Sequence, residues 1–554
     1  MIGAGTWYDA SRAGGSHNGG ASGPAAQETD WGRKWLPSMG GCCYIDSFHL
    51  EICSGEILGA RDHVGKLHAM LEKIREARQR ANVGLPAGQS VEVFANSSDG
   101  LSNSFGSHIN VLVTRRCLEN VLHRKVHQLS FLAAHQASAI IYAGQGKVGS
   151  ENGHAWVDYQ FSQRADFVEQ LLAVQTMWKR PLVNARDEGL CGPPARGFGS
   201  DSGTAAESLA RLHVISYDTT LCHIATFLKV GTLQLVLCML EQEIIDPSLC
   251  LDDPVEAVAQ WSHGDLRALA RLASGGRCTA IELQEGMLEK ATAFVSDGRA
   301  SGLVPEAPLI IRQWARTLQL LRQNDIHSLA RRCDWALKLV ALDRAMTKHQ
   351  KDWSSPEIKM LDHMYSSVAS DEGLYWQYER AGFVERIVSS ADIKRAGAEP
   401  HESTRAWLRA QLLRRADPEE IDDVDWDSIR FRPQRQGRRT VRTLYMNNPL
   451  RFTRAECEAA CQRSQSLEDL LDILGAEGGD IPNAGGDGSL AAGAPREATA
   501  WTAPRKRPLL LSADRHRQEA AASDSGRPAK ARVVHQDVYY TATKREGTGD
   551  IGKN

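Results

Sequence analysis

The run Tyr44-Ile45-Asp46-Ser47-Phe48-His49-Leu50-Glu51-Ile52-Cys53-Ser54-Gly55-Glu56 places three carboxylates and a histidine in an otherwise largely apolar stretch. Carboxylates in such surroundings are costly unless ionic or metal partners compensate them. Read as one strand from Tyr44 to Glu51, the alternation puts Tyr44, Asp46, Phe48 and Leu50 on one face. Ile45, Ser47, His49 and Glu51 then lie on the other. A break near His49 is required if Asp46 and Glu51 are to serve one site. The alternative is an edge strand with ordinary exposed charges.

Further polar segments follow. Asn96-Ser97-Ser98-Asp99-Gly100 is a cluster of turn formers, and His108 and Asn110 are two apart, hence on one face of a strand. That pair suits metal or phosphate contacts, as well as a plain polar strand start. Residues 144–149 read GQGKVG, a literal G-x-G-x-x-G. The string follows an expected helix and precedes polar loop, so it is not a dinucleotide fingerprint. It reads as a loop approaching phosphates or as a plain connection; no Walker A string occurs in the sequence. The run Arg180-Pro181-Leu182-Val183-Asn184-Ala185-Arg186-Asp187-Glu188 is followed by Arg211-Leu212-His213-Val214-Ile215. Arginine is shaped for bidentate phosphate contact, and a strand histidine can ligate a divalent ion. A surface ion-pair cluster is the competing reading of the Arg-Asp-Glu string.

Composition narrows the classes. Of 554 residues, 42% are hydrophobic and 24% charged, which gives ample core material for a large catalytic unit with an appendage. A net charge of −3 gives no reason to expect nucleic acid or a membrane surface as partner. The 12 cysteines show no C-x-x-C knuckle pair and fit reduced thiols in a reducing cytoplasm, so the expected location is cytoplasmic. The most apolar window, residues 230–240, is too short to cross a bilayer, and no signal peptide follows Met1.

Periodicity predicts an α+β fold with strands concentrated in the first half. Strand-like runs fall at 91–95 and 109–114. Helical windows fall at 62–82, 117–141, 163–179, 219–241, 280–295 and 309–321, and the half after 240 reads as nearly all helix. The expected organisation is a mobile segment over 1–36, a catalytic domain over 37–400 and a small C-terminal domain over 401–470. A disordered tail is expected over 471–554, rich in Gly, Ala, Ser, Pro and charge.

Taken in order, these segments resemble the Pup ligase and Pup deamidase (depupylase) family. The carriers are YIDSFHLEICSGE, NSSDGLSNSFGSHIN, GQGKV, QFSQRA, RPLVNARDE, RLHVI and LKVGT, with Thr404-Arg405-Ala406, Arg409 and Val424-Asp425-Trp426 further on. The likeness spans roughly 37–455, about three quarters of the chain. It implies a curved antiparallel sheet of the glutamine-synthetase-like carboxylate–amine ligase type, using ATP and Mg2+. The implied reaction joins the C-terminal glutamate side chain of a Pup-like protein modifier to a lysine of a protein substrate, within a proteasome-linked pathway. In deamidase members the corresponding amide or isopeptide bond is hydrolysed instead.

By the same resemblance Asp46 takes the catalytic position. Tyr44, Glu51 and His213 fall at the metal site, Arg186 and Arg211 at the phosphates, and Trp426 beside adenine. Two departures stand out. The family's first strand carries Gly-x-Glu-x-Glu, whereas Met1–Asp9 (MIGAGTWYD) holds no Glu, which implies either a start assigned too late or a site that has lost carboxylates; and Ile109 stands where many members have Glu. A small-molecule carboxylate–amine ligase of the same fold, or a non-catalytic binding protein derived from the family, are the alternatives.

Overall fold

A computed structural model describes residues 8–9, 30–46, 49–191, 208–432, 434–435 and 438–480. At its centre runs the helix His223–Glu241, apolar nearly all round, which is the pattern of a helix enclosed by protein. Its 19 residues are long and apolar enough to cross a membrane by composition, but 89% of that window is buried inside the fold. It packs against the helices Ala60–Val83 and Ala307–Arg322. These helices, with Ala280–Ser296, stand where periodicity predicts them. The last starts at a capping box in which Thr279 and Glu282 satisfy each other's backbone.

Two windows fold otherwise. The expected helix at 117–141 is broken into Arg115–Glu119, a π-turn at Asn120–Arg124, Val126–Ser138 and Ile140–Ala143. Beyond the single 3-10 turn Ala165–Phe167, the window at 163–179 forms the strand Val168–Ala173, paired parallel with Arg180–Asn184. Its apolar spacing satisfies both periods. Pairing with the largely buried Arg180–Asn184 strand decides between them by satisfying backbone groups. Residues 91–95 contribute only the bridge between Phe94 and Ser367.

The architecture is α+β. Tyr8–Asp9, Asp30–Leu36, Gly41–Asp46 and His49–Cys53 form one antiparallel sheet in that order, and Ile109–Thr114 pairs antiparallel with Leu209–Val214. The expectation of a mobile 1–36 therefore fails at its end: Asp30–Leu36 is a sheet strand, because Trp35 is fully buried in a core. The second half is also less helical than predicted. Ile421–Val424, Ser428–Phe431, Gln434–Arg435, Arg438–Tyr445 and Glu477–Asp480 make a five-stranded sheet. Order runs past the expected boundary at 470 through the helix Leu467–Ile473 and that last strand. The tail from 481 lies outside the described residues.

There are two main cores. The larger surrounds the central helix. The smaller joins Trp407, Leu408, Leu412, Ile429, Phe431 and Leu470 to Trp35 and Cys42 from the N-terminal sheet. The strands that carry the acidic run are thus held by side chains hundreds of residues away. All twelve cysteines are free, buried or half-buried.

Candidate active site

Two glycines set the acidic strands in place. Gly40 has φ +71, and a Cβ on Gly41 would stand 2.0 Å from the Cys53 carbonyl oxygen, so only glycines permit the turn and the close approach. Gly41–Asp46 then pairs with His49–Cys53, setting Cys42 opposite Cys53, Tyr44 opposite Glu51 and Asp46 opposite His49. The required break comes after Asp46; residues 47 and 48 lie outside the described ones. Directly opposed residues project to the same face. Tyr44, Asp46, His49 and Glu51 therefore share one face, which a single continuous strand would have forbidden.

That face grades from core to solvent. Cys42 is buried, Tyr44, Asp46 and Glu51 are half-buried, and His49 is exposed. The Tyr44 hydroxyl is hydrogen-bonded to Glu51, and the Cys53 thiol donates to Glu51 Oε1 at 3.5 Å. The Arg33 guanidinium lies 4.7 Å over the Tyr44 ring. Burial, then the neighbouring Cys53 and Glu51, pushes the Tyr44 phenol far up. Burial, against the Tyr44 hydrogen bond and with the Asp46 charge, raises Glu51. Oxygen ligands whose charged forms are penalised by burial fit a hard divalent cation, which restores those forms.

A second group gathers on the other strand pair. Arg211 and His213 alternate onto one face, with His213 opposite Asn110. Arg211 Nη1 donates to Asn110 Oδ1 at 2.8 Å. Its Nη2 lies 2.9 Å from Glu188 Oε2 but off the N–H axis, so this is an ion pair without a hydrogen bond. Arg186, half-exposed, pairs with the other oxygen of Glu188. His108 stands edge-on to His213 at 4.9 Å. His108 keeps an exposed edge, yet the protein packed round it, then Arg164, Arg180, Arg211 and Arg186, disfavours its charged form.

Arg164 Nη1 donates to Ser104 Oγ at 3.1 Å and to the Phe105 carbonyl, and Arg180 Nη2 donates to the Ser104 carbonyl at 3.0 Å. Arg164 Nε, Arg211 Nε and His213 Nδ1 are buried without a hydrogen-bond partner. Desolvated guanidinium donors without acceptors are costly, and phosphate oxygens would satisfy those of Arg164 and Arg211. Four guanidinium groups beside one another fit the triphosphate of a nucleotide.

His213 is held down at about 2, by burial first and then by His108, Arg211 and Arg186, so its imidazole is neutral and able to ligate. Its charged neighbours are cations, however. Of the three metal-ligand candidates it is the one whose surroundings favour an anion. The link between the two groups is His49, whose ring lies 4.3 Å from that of Phe105.

Trp426 joins neither group. Its ring meets Trp35 at 5.0 Å, and the Arg409 guanidinium lies 5.2 Å from both indoles. Arg409 also donates to the Gly40 carbonyl at 2.8 Å, to the Trp426 carbonyl at 2.7 Å and to both oxygens of Glu56. Arg405 Nε donates to Glu56 Oε1 at 2.6 Å. Glu56 is thereby a half-buried tie between the hairpin and the C-terminal region; loss of solvent raises its carboxyl, but Arg409 and Arg405 outweigh this and hold it at about 2. Spacing groups Glu56 with the acidic run and gives no sign of this role, nor does it assign Arg164 or, within the run 180–188, Arg180 to the phosphate group, because it says nothing of contacts so distant.

The GQGKVG string is a buried connection. Lys147 is almost fully enclosed and pairs with Glu151 and Asp166, each at 2.7 Å.

The comparisons with known proteins place the chain's family and fold. A family model described as Pup-ligase protein matches residues 17–430. A depupylase of Acidothermus cellulolyticus is 33% identical over 433 residues, 78% of this chain and 81% of that protein. A Pup–protein ligase of Pseudarthrobacter chlorophenolicus is 33% identical over 456 residues, 80% of this chain and 91% of that protein. A solved Pup ligase in complex with ADP has the same fold, with TM-score 0.66 at 24% identity over 78% of this chain and 89% of that one. Another, solved as a complex with Pup, gives TM-score 0.65 at 22% identity over 80% and 84%. With the matched region covering most of its length, the chain belongs to the Pup-ligase family and is an enzyme of Pup ligation or Pup removal.

Proposed function

We propose that the protein uses ATP to activate the C-terminal glutamate side chain of a Pup-like modifier and joins it to a substrate lysine, or hydrolyses that same bond. The observation that carries this reading is the hairpin register, which sets Asp46 on one face with Tyr44 and Glu51, next to the arginine cluster through the His49–Phe105 contact. In ligation the lysine amine loses a proton as it attacks, and the Asp46 carboxylate accepts it. In hydrolysis the same carboxylate activates water or attacks directly. Arg186 and Arg211, with Arg164 and Arg180, grip the phosphates. Mg2+ held by Tyr44 and Glu51 would neutralise charge on the nucleotide, while His213, set among arginines, faces the phosphate side rather than the ion. The packing of Trp426 on Trp35 and Arg409 supports a structural part for that ring rather than an adenine contact. The proteasome-linked setting and the cytoplasm are the context this activity requires.

The test is incubation with ATP, Mg2+, a Pup-like modifier ending in glutamate and a lysine-bearing protein. Mass spectrometry should find a glutamyl–lysine linkage formed, or lost when a preformed conjugate is supplied. Neither change, at saturating nucleotide, would sink the reading. Arg211→Ala is expected to weaken nucleotide binding about 10-fold or more, the scale of a lost charge-assisted hydrogen bond. Fluorescent-nucleotide titration measures it, and an unchanged affinity would remove Arg211 from the phosphate site.

A further inference from the structure

A separate cluster lies away from the hairpin. His154, Asp166 and His263 each offer one ligand atom, and these atoms lie within 4.8 Å of one another. Asp166 is fully buried. Its Oδ2 accepts from Lys147 Nζ at 2.7 Å, from the Glu151 amide at 2.8 Å and from Gln160 Nε2 at 2.9 Å. Its Oδ1 faces His263 Nε2 at 2.5 Å. His263 closes the helix Pro254–His263, so a regular element fixes its position.

His154 is brought in by a tight turn. Asn152 and Gly153 have φ of 54° and 80°, and the His154 amide closes the turn on the Glu151 carbonyl at 3.1 Å. Asn152 Nδ2 docks the turn on the Asp166 carbonyl at 2.9 Å. The imidazoles of His154 and His263 stand edge-to-face, 5.1 Å apart. An ion pair explains His263 alone. It leaves unexplained why the turn carries a second imidazole to the same carboxylate.

We propose that His154, Asp166 and His263 bind a divalent metal of the zinc class, at a site distinct from the hairpin. Two imidazoles and a carboxylate are a zinc-type donor set, with a fourth position open to solvent beside the exposed His154. Mg2+ prefers all-oxygen ligands, so the two sites differ in the ion they select. Charge favours the cation: the ammonium of Lys147 is set against two carboxylates, Glu151 and Asp166, which leaves one negative charge over. Zinc bonds of about 2.0–2.1 Å set ligand atoms roughly 3.3 Å apart, so binding requires the 2.5 Å His263–Asp166 contact to open as the imidazoles turn toward the ion. The metal then clips the turn and the helix end to the Ala165–Phe167 turn, next to Arg164 of the phosphate cluster.

The full chain, stripped of metal and held in saturating Mg2+, is titrated with Zn2+ by calorimetry and with Co2+ by visible spectroscopy. One equivalent should bind in the wild type and in Glu51→Gln, with the bands of low-coordinate cobalt and no thiolate band. His154→Ala, an exposed substitution, should lose that equivalent while its metal-free melting temperature stays unchanged. His263→Gln should lose it too. Absence of any Zn2+ equivalent in the wild type, its persistence in His154→Ala, or a thiolate-to-cobalt band would overturn the site.

Discussion

Asp46→Asn is expected to lower turnover by about 10²–10⁴-fold, the range for loss of a positioned general base. Nucleotide affinity should hardly change, because the groups that fit phosphate stand on other elements, around Arg186 and Arg211. The substitution keeps the size of the side chain, so the pairing of Asp46 with His49 survives. Single-turnover rates and nucleotide binding measured on the same preparation separate the two effects. A fall in affinity equal to the fall in rate would mean that Asp46 acts by holding the site together. Full activity would remove it from the chemistry.

Arg409→Ala is expected to destabilise the fold by about 3 kcal/mol, the low end for breaking a buried ion pair, because Arg405 still compensates part of the Glu56 charge. Arg409 is fully buried, and it spans the Gly40 carbonyl, the Trp426 carbonyl and both Glu56 oxygens. Urea unfolding followed by tryptophan fluorescence reports it, since the guanidinium lies on Trp35 and Trp426. Arg409→Lys should recover only part of the loss, because an ammonium cannot reproduce the planar fork.

The same tie has a pH signature. Glu56 sits at about 2 in the folded chain against an ordinary 4.5. A depressed carboxyl contributes its stability above the unfolded value and loses it as pH falls through the folded one. About 3 kcal/mol should therefore disappear between roughly pH 4.5 and pH 2 in the wild type. In Glu56→Gln this part of the acid transition should be missing. An identical acid profile in both proteins would show that Glu56 is not coupled to folding.

Motifs and periodicity together make most of the candidate residues legible, though unevenly. Glu51, Tyr44 and Asp46 were close in the chain, and only the placement of a strand break stood between them and a common face. Arg186, Arg211 and His213 were flagged by type, and the pairing of Leu209–Val214 with Ile109–Thr114 then supplied His108 and Asn110 as neighbours. Val168–Ala173 suits helix and strand alike in the sequence, because a short apolar run satisfies either period until a partner strand is known.

By itself the sequence determined which side chains were available: the acidic run, the arginines, the glycines that admit a tight hairpin, and the apolar central helix. Those are local properties of composition and spacing. Only the tertiary structure decided that Arg405 and Arg409 close on Glu56, that Trp35 belongs to the C-terminal core, and that His154 meets His263 across Asp166. Such contacts join residues about one hundred to more than three hundred and fifty positions apart. Burial drives them, and burial is a property of the whole packed chain rather than of any window within it.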